Sequence, residues 1–397
     1  MKRKMNLVHV GISGIPFGKS ASINRCLGIY SILQETDFNI LVINNRAAKY
    51  SEKSNKIQKK GFHSNISYQY TTPTPYKPNT FLKRRLYNFL GRINEFFLIF
   101  KLGFKKEIDV MVFYPEGDFL ELIFYRFFSK LFGFPLISHY VEFRSSFEHR
   151  QKGWPRINDL LFDKYFMYFI DGAIPISEFL INQIRLKKER LPFLKVPPLV
   201  DFKLFLNGTE NKDEKYFLYV GSTSYYNAIK TILDSFDLIS NKEFYLFLII
   251  HGPGINKIKD RLKVHPKNKL IKIFSGLAYE ELVAYYKNAQ ALLIPLSDTL
   301  KDKARFPQKI SEYVASKNPI ITTNIGEMGY YFEDGINALI AKDDTPLALS
   351  EKMNFVIKNP SKAAEIGKNG YEVGLKYFDS NSYAVDLKRF VLKLINT

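Results

Sequence analysis

"ALLIPLSDTLKDKARFPQKISEYVASKNPIITTNIGEMGYYFEDGINALIAKDD", residues 291–344, opens on a short apolar run that ends at Ser297. Such a run, sharply bounded by polar residues, predicts a buried strand. A charged loop follows, and a helix is expected from near Pro307. Proline is favoured in a first helical turn, and the free amides of that turn can hold an anion. "NPIITTNIG" then returns to a strand and "NALIAKDD" supplies another. Strand, helix, strand in this order predicts a parallel sheet covered by helices. Within the helix, Glu312 could accept both hydroxyls of a ribose diol, or could be an ordinary solvated carboxylate.

The same rhythm runs outward in both directions. Towards the N-terminus, "YFLYVGS" (216–222), "EFYLFLIIHGPG" (243–254) and "KLIKIFSG" (269–276) read as strands, separated by a helical pattern over 226–240 and followed by the helix "AYEELVAYYKNA". Further back, "NLVHVGI", "FNILVIN" (38–44), "DVMVFY" (109–114), "FPLISHYVEF" (134–143) and "GAIPIS" (172–177) repeat the alternation, with helical spacing over 21–35 and 119–132. Two segments break it. Residues 45–80, with Lys53, Lys56, Lys59, Lys60 and "TTPTPYKPNT", predict an exposed, irregular insertion. Residues 191–216, rich in proline and charge, predict an interdomain linker. The resulting expectation is an α/β chain of two doubly wound domains facing a central cleft. The first covers 1–203 and the second 204–375. A terminal helix over 376–397 would pack back on the first.

Composition narrows the classes. The chain has 397 residues, 46% apolar and 24% charged, a globular balance with material for two cores. Cys26 is its one cysteine, which excludes a disulfide within the chain and suits a reducing compartment. The basic start "MKRKMNLVHVGISG" lacks a signal-peptide core, because His9, Gly11 and Gly14 interrupt its apolar run. "LYNFLGRINEFFLIFKLGF" (86–104) carries Arg92, Glu95 and Lys101 and is not expected to span a bilayer.

The formal charge is +19, and residues 1–205 account for most of it with 32 Lys and Arg against 17 Asp and Glu. A field of that sign calls for an anionic partner. No recognition helix, RNP-like strand or finger motif accompanies it, so nucleic acid is not the expected one. "FLKRRLYNFLGRINEFFLIFKLGFKK" (81–106) interleaves aromatics with Lys and Arg. That pattern fits an interfacial membrane helix, and fits equally a buried helix with a solvated basic face.

The first strand runs into "GISGIPFGKS" (11–20), close to a nucleotide-triphosphate P-loop. The required spacing is G-x-x-x-x-G-K-[ST], whose amides cradle a phosphate. Counting back five from Gly18 gives Ser13, and Pro16 removes a donor. The loop is a near miss for that motif.

Taken together, these segments resemble glycosyltransferases of family 4, retaining enzymes of the GT-B fold. Their donor motif resembles P…E-x7-E-Y-x-A-x-G-x-P-(I/V)-(I/V)-x-T…G. Glu312, Tyr313, Ala315, Pro319, Ile320, Thr322, Gly326 and Gly335 fall on matching positions. "YFLYVGSTSYYNAIKTILDSF", "LIIHGPG…IKIFSGLAYEELVAYYKNAQALLIP" and "IDGAIPISEFL…LKVPPLVD" resemble three further family stretches in the same order. The resemblance covers nearly the whole chain and is weakest over 45–110.

It implies transfer of a sugar, with retained anomeric configuration, from a nucleotide-sugar to a glycan or lipid-linked glycan acceptor in surface polysaccharide biosynthesis. It further implies a cytoplasmic enzyme, peripheral at the inner face of the membrane, with no metal and no cofactor beyond the donor. The donor site it implies comprises Gly14, Gly18, Gly221, Ser222, Gly254, Gly276, Phe306, Pro307, Lys309 and Glu312. Glu142, with His139 before it, takes the place of the residues that contact the transferred sugar. The core-histidine reading of His139 stands ahead of the catalytic one, Lys309 could equally be a solvated lysine, and Glu116 is a further acidic candidate.

The chain departs from the pattern at three places. Ala304 stands where the first glutamate of E-x7-E is expected, and Ser222 and Asn227 stand where many relatives carry a basic pair. Lys303, Arg305 and Lys309 are the nearest substitutes, with Lys303 and Arg305 read as surface charges. The departures leave a rival reading open, a catalytically impaired GT-B subunit that acts as a binding or scaffolding partner.

Overall fold

Met5–Gly11 (β1) forms the centre of the first sheet because Leu7 on one face and Val8 and Val10 on the other are apolar; Leu7 and Val10 are completely buried. A strand covered on both sides needs no polar alternation, which is how parallel sheets read. In the computed structural model, residues 3–18, 20–34, 37–48, 57–116, 118–206 and 214–397 are described. They belong to two units, 1–197 with 383–397, and 198–382.

In the first unit β1 is followed by α1 (Ala21–Gln34), β2 (Phe38–Asn44), β3 (Lys60–His63), β4 (Ile66–Tyr70), α2 (Phe81–Phe104), β5 (Val110–Tyr114), α3 (Phe119–Phe132), β6 (Leu136–Tyr140), α4 (Gly153–Tyr165), β7 (Gly172–Pro175) and α5 (Glu178–Lys188). The strands lie in the order β3-β4-β2-β1-β5-β6-β7. Every pair is parallel except β3–β4. Local chemistry fixes the helix ends. Asp118 caps α3 by accepting the Leu120 N–H at 3.0 Å, and α3 stops at Gly133, which has φ +74°. The C-terminal helix Ala384–Ile395 packs on this unit, with Phe390 and Leu394 lying over Gly172.

Here the structure corrects the reading of 45–80. Residues 60–70 are no irregular insertion but a hairpin turning at Ser64 and Asn65, both with positive φ. Ile66, Tyr68 and Tyr70 alternate along β4 and are all buried, so β4 joins β2 as an integral strand. Lys53 and Lys56 lie outside the described residues.

The second unit contains β8 (Lys215–Ser222), α6 (Tyr226–Asp237), β9 (Phe244–His251), α7 (Ile255–Lys263), β10 (Ile271–Phe274), α8 (Tyr279–Asn288), β11 (Ala291–Ile294), α9 (Leu300–Ala304), α10 (Lys309–Ala315), β12 (Ile320–Thr323), α11 (Met328–Tyr331), β13 (Leu339–Ala341), α12 (Pro346–Lys358) and α13 (Pro360–Tyr377). Its strands run parallel in the order β10-β9-β8-β11-β12-β13. The core joins Phe217, Leu248 and Leu293 of the sheet to Ile232 and Phe236 of α6 and Met353 of α12, all of them buried. Each such side chain contributes about 1.5–3 kcal/mol on leaving water. The sheet is therefore a rigid platform for the loops at its carboxyl edge. Part of the expected linker, 207–213, lies outside the described residues, while Val196, Leu199 and Phe202 beside it are buried.

Candidate functional site

The strand order of the second unit changes direction between β8 and β11. In open α/β sheets, ligands bind where the loops leaving such neighbouring strands part. Gly221 and Ser222 end β8. The Ser222 hydroxyl accepts the Ser224 N–H at 3.2 Å and so closes the turn into α6. From β9 the chain enters Gly252 (φ +118°) and Gly254. Thr223 Oγ1 accepts the Gly254 N–H at 3.1 Å, and a β-carbon on Gly252 would lie 2.5 Å from the same oxygen. Glycine is what lets the two loops touch. Gly276, after β10, has φ +73° and open space around it.

The loop after β11 carries most of the charge. Asp302 accepts the Ser297 N–H at 2.9 Å and the Arg305 Nε–H at 2.6 Å. The Arg305 guanidinium lies 4.0 Å over the Tyr225 ring, and Lys301 Nζ lies 4.5 Å from that ring. Arg305 is thus no surface charge, which corrects the sequence reading: only 17% of its side chain is exposed. Lys303, 46% exposed and paired with Asp298, does stand at the surface. Ala304 is buried, and the carboxylate nearest it in sequence, Asp302, is bound to Arg305.

Phe306 faces the interior of the second unit. It is buried, stacking on Tyr331 at 5.4 Å and meeting Phe378 edge-on. Its expected donor contact is corrected accordingly, because no ring surface is left for one. Pro307 directs the chain into α10, its carbonyl accepting the Ile310 N–H at 3.1 Å. One turn on, Glu312 is 3% exposed. Its Oε2 accepts both the Tyr286 hydroxyl and Lys309 Nζ at 2.6 Å. Oε1 accepts no hydrogen bond among the described residues. The carboxylate is therefore held rigidly by one oxygen and offers the other. At the end of β9, burial lowers the His251 pKa and the charge of Lys309 adds to that effect.

In the first unit, the glycine loop is tied down from β2. The Gly14 N–H donates to Asn44 Oδ1 at 2.7 Å, Asn44 Nδ2 donates to the Ile15 carbonyl at 2.8 Å, and the Gly18 N–H donates to the Gly14 carbonyl at 2.7 Å. Both glycine amides are used internally, so the loop is not a phosphate cradle of the P-loop kind. Gly14 (φ +104°) and Gly18 can contribute close approach only. Lys19 lies outside the described residues.

His139 is completely buried in β6, its ring 5.1 Å from Tyr114 and both nitrogens unbonded. Burial, with Arg25 and His9 adding to it, pushes its pKa far below the usual value and keeps it neutral. A group so placed touches no substrate, and the catalytic expectation for His139 is corrected to a core position. Glu142 differs. It follows β6 with 43% of its side chain exposed and lies 3.7 Å from Arg144 Nη1. Arg144 in turn donates to the Pro115 and Glu116 carbonyls. Burial raises the Glu116 carboxyl above its ordinary value, against the opposing charge of Arg46.

Asp302 and Asn44 escaped the sequence reading, which had placed Arg305 at the surface. The i, i+3 spacing of Asp302 and Arg305 was the available signal, and it does not separate a surface pair from a buried one.

Residues 202–373 match the model of the glycosyl transferases group 1 family. An uncharacterized glycosyltransferase of Methanocaldococcus jannaschii is 25% identical over 220 residues, covering 54% of this chain and 58% of that protein. Sucrose-phosphate synthase of Thermosynechococcus elongatus superposes with a TM-score of 0.80 at 15% identity, over 99% of this chain and 100% of the other. Anabaena HepE, crystallised with UDP-glucose, superposes with a TM-score of 0.70 at 13% identity, over 99% of both chains. The chain therefore has the GT-B fold, and residues 202–373 of its second unit are similar to the glycosyl transferases group 1 family.

Proposed function

We propose that this chain is a retaining glycosyltransferase of the family 4 kind, moving a sugar from a nucleotide-sugar to a glycan or lipid-linked glycan. The observation that carries the reading is Glu312, buried, held through Oε2 by Tyr286 and Lys309, with Oε1 left to accept the ribose hydroxyls. Lys309 and Arg305 would supply the positive charge that Ser222 and Asn227 do not. The loops ending in Gly221, Gly254 and Gly276 would border the nucleotide.

In same-face transfer, the leaving diphosphate helps take the acceptor's proton. The protein's part is orientation and stabilisation of the developing phosphate charge. Glu142, partly exposed after β6, would then contact the transferred sugar. No helix among the described residues is long and apolar enough to cross a membrane. We place the chain in surface polysaccharide biosynthesis, peripheral at the cytoplasmic membrane face.

UDP-glucose is the first donor to test, because HepE was crystallised with it. Release of UDP should require an acceptor glycan, persist in EDTA, and give a product with the donor's anomeric configuration by proton NMR. Nucleotide binding without turnover of any nucleotide-sugar would support the impaired-subunit reading instead. Inverted product would refute retention.

A further inference from the structure

Helix α2 runs for 24 residues, about 36 Å, and buries only one narrow side through Gly91, Glu95, Ile99 and Gly103. Its opposite side is apolar and open. Leu86, Phe89, Ile93, Phe97, Phe100 and Phe104 recur every three or four residues and are all exposed, with Phe89 at 63%, Phe97 at 64% and Phe104 at 77%. Helix α3 lies alongside, joined by the ring contacts Phe96–Phe128 at 5.2 Å and Phe100–Phe132 at 5.5 Å. It shows a second open stripe, Leu120, Ile123, Phe127 and Leu131, at the same spacing. Two neighbouring helices thus share one exposed apolar face, far more than isolated surface hydrophobics.

The exposed charges within the two helices have one sign, while Glu107 and Asp118 lie just outside their ends. Lys83, Arg85 and Lys101 of α2 and Lys130 of α3 are exposed. The carboxylates within the two helices, Glu95 and Glu121, are buried and bonded to Arg92 at 2.8 and 2.6 Å. A second copy of the chain laid face to face would bring these basic side chains together, with no exposed carboxylate inside either helix to answer them. An anionic lipid surface satisfies both features at once, the aromatics entering the acyl boundary and the basic rim meeting headgroups.

We propose that the α2–α3 face docks on the surface of an anionic bilayer, with α2 lying in the membrane plane. This deepens the membrane contact proposed above by assigning it to named residues. Docking here would hold the first unit beside a lipid-linked acceptor, so that the acceptor need not leave the bilayer.

The test is sedimentation of the full chain with phosphatidylcholine vesicles, with and without about a third of phosphatidylglycerol. The wild type should sediment with the anionic vesicles and be released by high salt. Phe97→Glu with Phe127→Glu should remain in the supernatant, and these positions are exposed enough for the fold to tolerate the change. Lys83→Gln and Lys101→Gln should each weaken binding about fivefold. Sedimentation with neither vesicle, or equal sedimentation of the Phe97→Glu/Phe127→Glu variant, would overturn the proposal. So would a concentration-dependent dimer in light scattering that the same variant dissolves, since a second copy would then cover the face. Nucleotide binding measured on the same samples separates the two readings. If it survives while vesicle binding fails, docking falls and the donor site stands.

Discussion

Replacing Glu312 by glutamine tests the donor site at its most specific atom pair. In the wild type, Oε2 takes hydrogen bonds from the Tyr286 hydroxyl and Lys309 Nζ, both at 2.6 Å. Glutamine keeps an acceptor for Tyr286 but withdraws the charge that holds Lys309. A charge-assisted bond contributes about 1.5–3 kcal/mol, and a charge-free one about 1 kcal/mol. The expected loss of stability is therefore about 1–2 kcal/mol, since Lys309, only 26% exposed, loses a partner but keeps some access to water. With the amide oxygen kept at Tyr286, the ribose side meets an NH2 donor in place of the Oε1 acceptor, and a loss of about 1.5–3 kcal/mol there weakens nucleotide binding about 10- to 150-fold. Urea denaturation gives the first quantity and titration calorimetry with the cognate nucleoside diphosphate gives the second. A variant destabilised as expected but binding nucleotide like the wild type would refute the assignment of Glu312 to the ribose.

Two further perturbations probe the first unit. Burial raises Glu95, in spite of Arg92 beside it, from 4.5 to about 7. Between those values the folded state binds more protons than the unfolded one, so stability should fall as pH rises from 4.5 to 7, by on the order of 2 kcal/mol. Glu95→Gln should flatten that slope in denaturation midpoints taken across the range, and an unchanged slope would show that another group carries it. Gly91 sits inside α2, where alanine alone would favour the helix by up to about 1 kcal/mol. A β-carbon there would strike the Asn45 carbonyl and approach Thr72 Cγ2 at 2.8 Å, so Gly91→Ala should instead destabilise by about 1–3 kcal/mol in chemical denaturation.

Much of the second unit was legible in the sequence because its signals are local. A parallel strand buried on both faces reads as an unbroken apolar run, as in "ALLI" of β11 and "FYLFLII" of β9. The β3–β4 hairpin was not legible. Its turn, Ser64–Asn65, lacks the glycine that usually marks one, and lysines before it and prolines after it suggested a loop. The alternation of Ile66, Tyr68 and Tyr70 was the signal that should have prevailed.

Within the site, Glu312 could be placed by its spacing to Tyr313 and Pro319, but its partner Tyr286 comes from another helix 26 residues away. The same limit hid Arg305 and exposed the error over His139. Whether a charged or aromatic side chain faces water depends on what folds over it, and that is decided by tertiary packing. For α2 the sequence left two readings open, a buried helix or an interfacial one, because its apolar stripe has the same period in either case.

The central claim is that the second unit holds a nucleotide-sugar through Glu312. Its most direct test is thermal stability of the full chain against UDP, GDP, ADP, CMP and their sugar conjugates. A ligand at 100 times its dissociation constant adds about 2.7 kcal/mol of stability to a protein that binds it only when folded. The account predicts such a shift with one base and its sugar conjugate, and its loss in Glu312→Gln. No shift with any nucleotide would contradict it, because Lys309 and Arg305 would then have failed to replace the missing basic pair.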